Sequence, residues 1–404
     1  MLQPGKRRQY PADAPRGRIN LYYERISASL GILQVVLYLA LFSFVILSFL
    51  KNTSLITYQN FYYFFKDLNA SAEAVDVFAS DSVSYPTAEE QSFTLYRNGL
   101  AVAGNQSVTV FTATGRQTVS QSISYKNPIA VGAGKYLLVY ELGGTQYSIY
   151  NSYTQLHMGK SELPILGAAV SDSGSFVLIS RAESTTCTVS LYSDQFKLLR
   201  RYHRTGFVMD ASLDGEGKML AMLISSAEGG KFATRLELCD TRDSDGEGIQ
   251  VTSLGDSLGL SCCFTKHGIN VLCEDGYRFV EPDEGVVQQI AFSSGTLLSC
   301  TVNRDYSAFC LEKDPLSNQK QIIVFDKRGK MLYNEVVEDR VVWVAVADET
   351  LFYFTSEEIC RASLSGGEVK RMIYALGERK AFAMDKNELL ICSPQKAEYL
   401  RFEN

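Results

Sequence analysis

The side chains best suited to chemistry are nine cysteines and three histidines. The cysteines are Cys187, Cys239, Cys262, Cys263, Cys273, Cys300, Cys310, Cys360 and Cys392. No two stand in a C-x-x-C pair, and His157, His203 and His267 are far apart, so neither a metal site nor a cofactor is expected. Cys263 and Cys273, like Cys300 and Cys310, are ten residues apart and flank turns centred near Gly268 and Asp305. Antiparallel pairing about those turns would set the members of each pair opposite one another. That admits a cross-strand disulfide, or two small buried side chains facing each other in a packed sheet. Apolar surroundings such as SAFCL and LLICS favour the buried reading. Vicinal Cys262 and Cys263 must point to opposite faces of a strand, so one of them lies outside any such pair.

Acidic residues gather once, in CDTRDSDGEG (239–248), with Asp240, Asp243, Asp245 and Glu247 around glycine. The spacing fails the D-x-D-x-D-G calcium loop and lacks its closing glutamate, so a solvated hairpin tip is expected. No G-x-S-x-G elbow, H-E-x-x-H helix, Walker loop or strand-linked G-x-G-x-x-G occurs, and GEGK (215–218) and GGEVK (366–370) lack phosphate-loop spacing. Asn52, Asn69 and Asn105 open glycosylation sequons that matter only in a host that glycosylates. No catalytic, cofactor-binding or metal residue is therefore assigned.

The elements carrying these residues repeat. Over 90–404 the chain reads as short apolar or alternating runs between Gly, Asp and Asn turns, with no ten-residue helical pattern. A turn followed by an apolar strand recurs eight times: 95–104, 130–140, 170–180, 212–225, 264–274, 302–312, 345–356 and 383–393. A second strand-ending landmark follows each, at Phe111, Tyr150, Tyr192, Cys239, Phe279, Phe325, Cys360 and Leu400, in steps of 35 to 47 residues. A period near 41 residues holds four short strands, the size of a propeller blade. The expected fold is all-β, a β-propeller of eight four-stranded blades with seven as the neighbouring count; stacked β-sandwiches are the alternative. Residues after Leu389 supply two strands of the last repeat, so a strand from about 75–85 is expected to complete it and close the ring.

Ahead of the repeat, Ile26 to Leu50 is a 25-residue run without a charge. It is long enough to cross a bilayer of about 30 Å as one helix. Residues 1–25 hold six basic and two acidic residues, a net +4, whereas the chain beyond Lys51 holds 32 basic and 43 acidic, a net −11. The basic flank points to a cytoplasmic N-terminus and an uncleaved signal anchor, with the remainder exported; a cleavable signal peptide is the competing reading. The segments read as a cytoplasmic tail (1–25), a transmembrane helix (26–50), an aromatic juxtamembrane segment with FYYFF at 61–65 (51–74) and a propeller (75–404). The aromatic segment suits either the lipid interface or a strap on the ring.

The basic tail, single span, FYYFFKDLNA stretch and Asp-Gly turns before apolar strands resemble an uncharacterised family of single-span bacterial propellers, related to WD40 and quinoprotein-type repeats. The WD dipeptide is absent and Trp343 is the single tryptophan, which departs from both repeat signatures. The resemblance implies architecture and no activity. The expected function is a membrane-anchored extracytoplasmic binding or scaffolding platform. Its partners are the bilayer, through 26–50, and a protein or cell-envelope ligand; the acidic balance argues against nucleic acid. The alternative is a glycan lyase or hydrolase using paired carboxylates in the central channel.

Overall fold

The computed structural model describes residues 30, 31 and 33–43, and 82–402 apart from 182–185, 244–248, 293–295, 314–318 and 375–379. The chain divides into two compact units, Met1–Val75 and Asp76–Asn404. In the first unit the described residues are helical and lie inside the apolar run. Among the described residues no helix is long and apolar enough to cross a membrane; the rest of 26–50, the aromatic segment and the sequons at Asn52 and Asn69 lie outside them.

The second unit consists of eight separate four-stranded antiparallel sheets, which fixes the blade count at eight rather than seven. Blades I to VII span 91–122, 128–160, 165–205, 207–255, 259–291, 296–337 and 343–373, each with its strands in chain order. Blade VIII combines Lys380–Ala383, Glu388–Cys392 and Lys396–Arg401 with the N-terminal strand Ser82–Ser84. Val83 pairs with Ala397, and beyond the strand Tyr85 donates its hydroxyl to the Ser393 carbonyl at 2.6 Å. The first described strand thus closes the last blade, as the incomplete final repeat required.

Each of the eight recurring segments supplies the second strand of a blade, and each later landmark lies on a third strand. Second strands are covered on both faces, which explains their unbroken apolar runs: Gly99–Gly104, Ile269–Cys273, Thr350–Phe354 and Glu388–Cys392 are buried throughout. Side chains along one strand serve two neighbours in alternation. Phe176 and Leu178 join a cluster with blade II, whereas Val177 and Ile179 join one with blade IV. Eight such clusters occur, one at every junction, including Val83, Leu100, Phe111 and Leu390 between blades VIII and I. A complete set of interblade cores is the physical content of a closed ring.

The expected cysteine pairs are corrected by register. Cys263 stands opposite Asn270, and Cys273 opposite Gly259; Cys300 stands opposite Phe309, and Cys310 opposite Ser299. In both hairpins the centre of the turn falls earlier in the chain than Gly268 or Asp305. Because strand side chains alternate in period two, a shift of one residue puts Cys300 on the exposed face and Cys310 in the core. All nine cysteines are free thiols, and of the vicinal pair it is Cys262 that joins Cys273 in the core between blades IV and V.

Candidate functional site

The first strand of each blade is the inner one and packs beside the first strand of the next blade around most of the ring. These eight strands wall the channel, and their charge content is low: among the described residues Asp210 is their one carboxylate and Lys380 their one cation. Their inner edges have no strand partner, and interblade bonds satisfy part of them. The Ala130 amide donates to Ser92 Oγ at 3.1 Å, Phe264 to Ser212 Oγ at 3.1 Å, and Cys262 to Asp210 Oδ2 at 2.9 Å. Asp210 Oδ1 also accepts from its neighbour's amide, Ala211, at 2.8 Å. Burial outweighs both bonds and pushes the Asp210 carboxyl up to about 6.

Four inner strands carry an extra residue. In blades III, IV, V and VI the register with the second strand breaks between Ile165 and Gly167, Val208 and Asp210, Gly259 and Ser261, and Leu297 and Ser299. The residues left unpaired are Leu166, Met209, Leu260 and Leu298, and all four are exposed. The inner strands of blades I, II, VII and VIII pair without interruption. A bulge re-aims the side chain it carries, so this half of the wall presents large apolar groups near the ends where its strands begin.

The opposite mouth is polar. The turns after the inner strands are stitched to one another: Tyr96 donates its hydroxyl to the Lys135 carbonyl at 2.5 Å, Ser173 N donates to the Gly215 carbonyl at 3.1 Å, and Glu349 N donates to Tyr306 Oη at 3.3 Å. Asp172, in the turn of blade III, pairs with Arg304, in the turn of blade VI. These blades are not neighbours, so the ion pair reaches across the channel opening. Asn303 accepts from the Asp305 and Tyr306 amides at 2.9 and 2.8 Å, which fixes the turn that presents Arg304.

The other candidates offer less. Thiolates are the reactive form of cysteine, and burial pushes the thiols of Cys239, Cys263 and Cys273 up to about 11 and those of Cys310 and Cys392 to about 12. In the acidic loop, Arg242 clamps Asp240 from Nε at 3.0 Å and Nη2 at 2.7 Å, which holds that carboxyl down at about 2; Asp245 and Glu247 lie outside the described residues. Among the described residues no group of three His, Cys, Asp or Glu is placed to hold a metal ion. A cavity of about 350 Å³ at blades IV and V contains Arg278, whose guanidinium is already held by Asp275 at 2.9 and 2.8 Å.

Residues 76–402 match a family described only as a family of unknown function, DUF5711. No curated protein matches the chain in sequence. Among solved structures, the chain is similar to Chaetomium thermophilum Sqt1 bound to the N-terminus of the ribosomal protein L10, at 13% identity and a TM-score of 0.53, covering 80% of this chain and 100% of that one. BamB from Moraxella catarrhalis matches at 11% identity and 0.53, over 80% and 97%. Apo AztD from Citrobacter koseri matches at 11% and 0.50, over 70% and 86%. At such identities the likeness shows the propeller fold alone.

Proposed function

The chain belongs to this family of unknown function, and on that premise we propose that it is a membrane-anchored, extracytoplasmic propeller acting as a non-enzymatic binding platform for a protein or cell-envelope ligand. The channel wall is the observation that carries the reading. A closed ring with eight interblade cores is a rigid frame, and its inner strands offer apolar and small polar groups with little ionisable chemistry. Recognition needs such a surface. Sqt1 shows that a propeller of this shape class can hold the N-terminal segment of another protein. The glycan lyase or hydrolase reading needs two carboxylates about 5–10 Å apart, and the inner strands supply Asp210 only.

Anchoring is supported by the uncharged run at 26–50 and by the helix within it. Leu33, Val35, Val36, Leu37, Tyr38, Leu39, Leu41 and Phe42 are all exposed, at 55–63%. A run of exposed apolar side chains of this kind is suited to lipid. The basic tail then faces the cytoplasm and the acidic ring the other side. Protease added to intact cells tests this directly: it should remove the ring and spare an N-terminal epitope tag. A ring protected until the cells are lysed contradicts the orientation. Cross-linking on intact cells should recover a defined partner. No adduct, together with turnover of a glycan or ester by the purified protein, contradicts the platform.

A further inference from the structure

We propose that the bulged arc of blades III to VI is the docking site for a leucine-rich, basic segment of a protein partner. The inference rests on the binding-platform reading and names the face and the chemistry of its occupant. Leu166, Met209, Leu260 and Leu298 are 46%, 38%, 37% and 41% exposed, each the unpaired residue of its bulge. Because these positions lie near the start of the inner strands, their exposure falls at that mouth of the ring. The four positions lie second or third in their strands, so they share one end of it, away from the Asp172–Arg304 pair. Phe207 (48%), with the Arg181 guanidinium over its ring at 5.5 Å, and Val342 (46%) extend the arc. Scattered exposed leucines need no explanation. The same device in four consecutive blades, all aimed at one mouth, marks an apolar surface with a use.

The rest of that mouth has another character. The second residues of the other inner strands are Ser92, Ile129, Val344 and Ala381, none of them an exposed large apolar side chain, and Lys380 Nζ is held by the Phe93 carbonyl at 3.3 Å. The occupant therefore contacts the four bulged blades and carries an aliphatic anchor for each. Charge selects its flanks. Residues 76–404 carry 41 acidic and 31 basic residues. At this end Glu162, Asp256 and Asp275 pair with Arg201, Lys231 and Arg278, and Glu274 stands in the second hairpin of blade V, so the selection by charge comes from the net balance of the ring. An acidic ring repels an anionic lipid surface and a second copy of itself, and attracts a basic segment.

The test uses the full chain in zwitterionic nanodiscs and a fluorescent 14-residue amphipathic peptide of leucine and lysine, read by anisotropy above an empty-nanodisc control. The wild type should bind it, and should bind the leucine–glutamate counterpart at least tenfold more weakly. Changing Leu166, Met209, Leu260 and Leu298 together to Gln should weaken binding at least tenfold, with the melting temperature held within a few degrees, because all four are exposed. If that variant has no melting transition, Leu260→Gln and Leu298→Gln alone should each weaken binding about threefold. Arg304→Gln at the other mouth should leave binding unchanged. Equal binding by the wild type and the arc variants overturns the proposal and leaves the platform to the cell-surface cross-linking. It is likewise overturned if the acidic peptide binds as tightly, or if the arc variants abolish self-association or capture by phosphatidylglycerol vesicles instead.

Discussion

Blades III to VI and blades VII, VIII, I and II build their inner strands by different rules. In blades I and VII the first hairpin turns through two residues in left-handed conformation, Arg97 and Asn98 (φ 50° and 59°) and Asp348 and Glu349 (φ 45° and 59°). Blade II also turns through two residues, Gly134 and Lys135, of which only the glycine is left-handed, at φ 51°. These primed turns match the strand twist and lock the register, and the strands that follow from them are regular. In blades III to VI the first hairpin closes from Val170 to Phe176, Leu213 to Leu220, Phe264 to Ile269 and Val302 to Ser307, so the turns are longer. That of blade VIII, from Ala383 to Leu389, is as long and its strand is regular, so the bulge and not the turn length separates the halves. Each inner strand of blades III to VI holds one extra residue. A single added residue leaves the interblade cores intact while replacing what the wall shows to the channel. The difference between the halves is therefore one of surface and not of framework.

Deletions should separate the two halves of the ring most strongly. Removing Val131 from the regular strand Pro128–Ala133 slips its start by one and turns Ile129 and Ala130 away from their clusters. That should cost about 3 kcal/mol or more. Removing Leu260, the extra residue of Gly259–Phe264, restores a regular register and should cost about 1 kcal/mol. Urea denaturation of the two variants measures the gap, and equal losses would mean that the bulge is structural.

A change of similar size at most concerns Asp210, which has no counterpart in the regular half. Its native carboxyl titrates near 6 against an ordinary 3.8, so the folded chain holds the proton more tightly than the unfolded one. The wild type should lose stability as pH rises from about 4 to about 6, by up to about 3 kcal/mol, and stay level above that. Asp210→Asn should remove that part of the pH dependence in thermal melts. A difference between the proteins that is constant across pH 4–7 would refute the assignment. The smallest effect belongs to the polar mouth. Asp172 and Arg304 are 39% and 43% exposed, so Arg304→Gln should cost under about 1 kcal/mol, and the difference should vanish in 1 M NaCl.

Much of the frame was legible in the sequence, because a second strand covered on both faces must read as a continuous apolar run after a turn. AVADETLFYFTS and AMDKNELLICS announce such strands with nothing else known. The closing strand followed from counting what the last repeat lacked. The cysteine register failed, by one residue at Cys300 and by three at Cys263, because strand partners depend on where a turn is centred, and the runs around Gly268 and Asp305 do not specify that. The bulges were invisible for a related reason: Leu166 or Leu298 inside an apolar strand reads like any other leucine. Asp172 and Arg304 are 132 residues apart and meet only because the ring closes.

Photo-cross-linking at one matched pair of positions tests the central claim, that the bulged half of the wall is the binding face. Leu260 and Ile129 are each the second residue of an inner strand, one bulged and one regular. With benzoylphenylalanine placed at either position in living cells, a discrete protein adduct should form from 260, be removed by Leu298→Gln, and not form from 129. The same adducts from both positions, or from 129 alone, would contradict it.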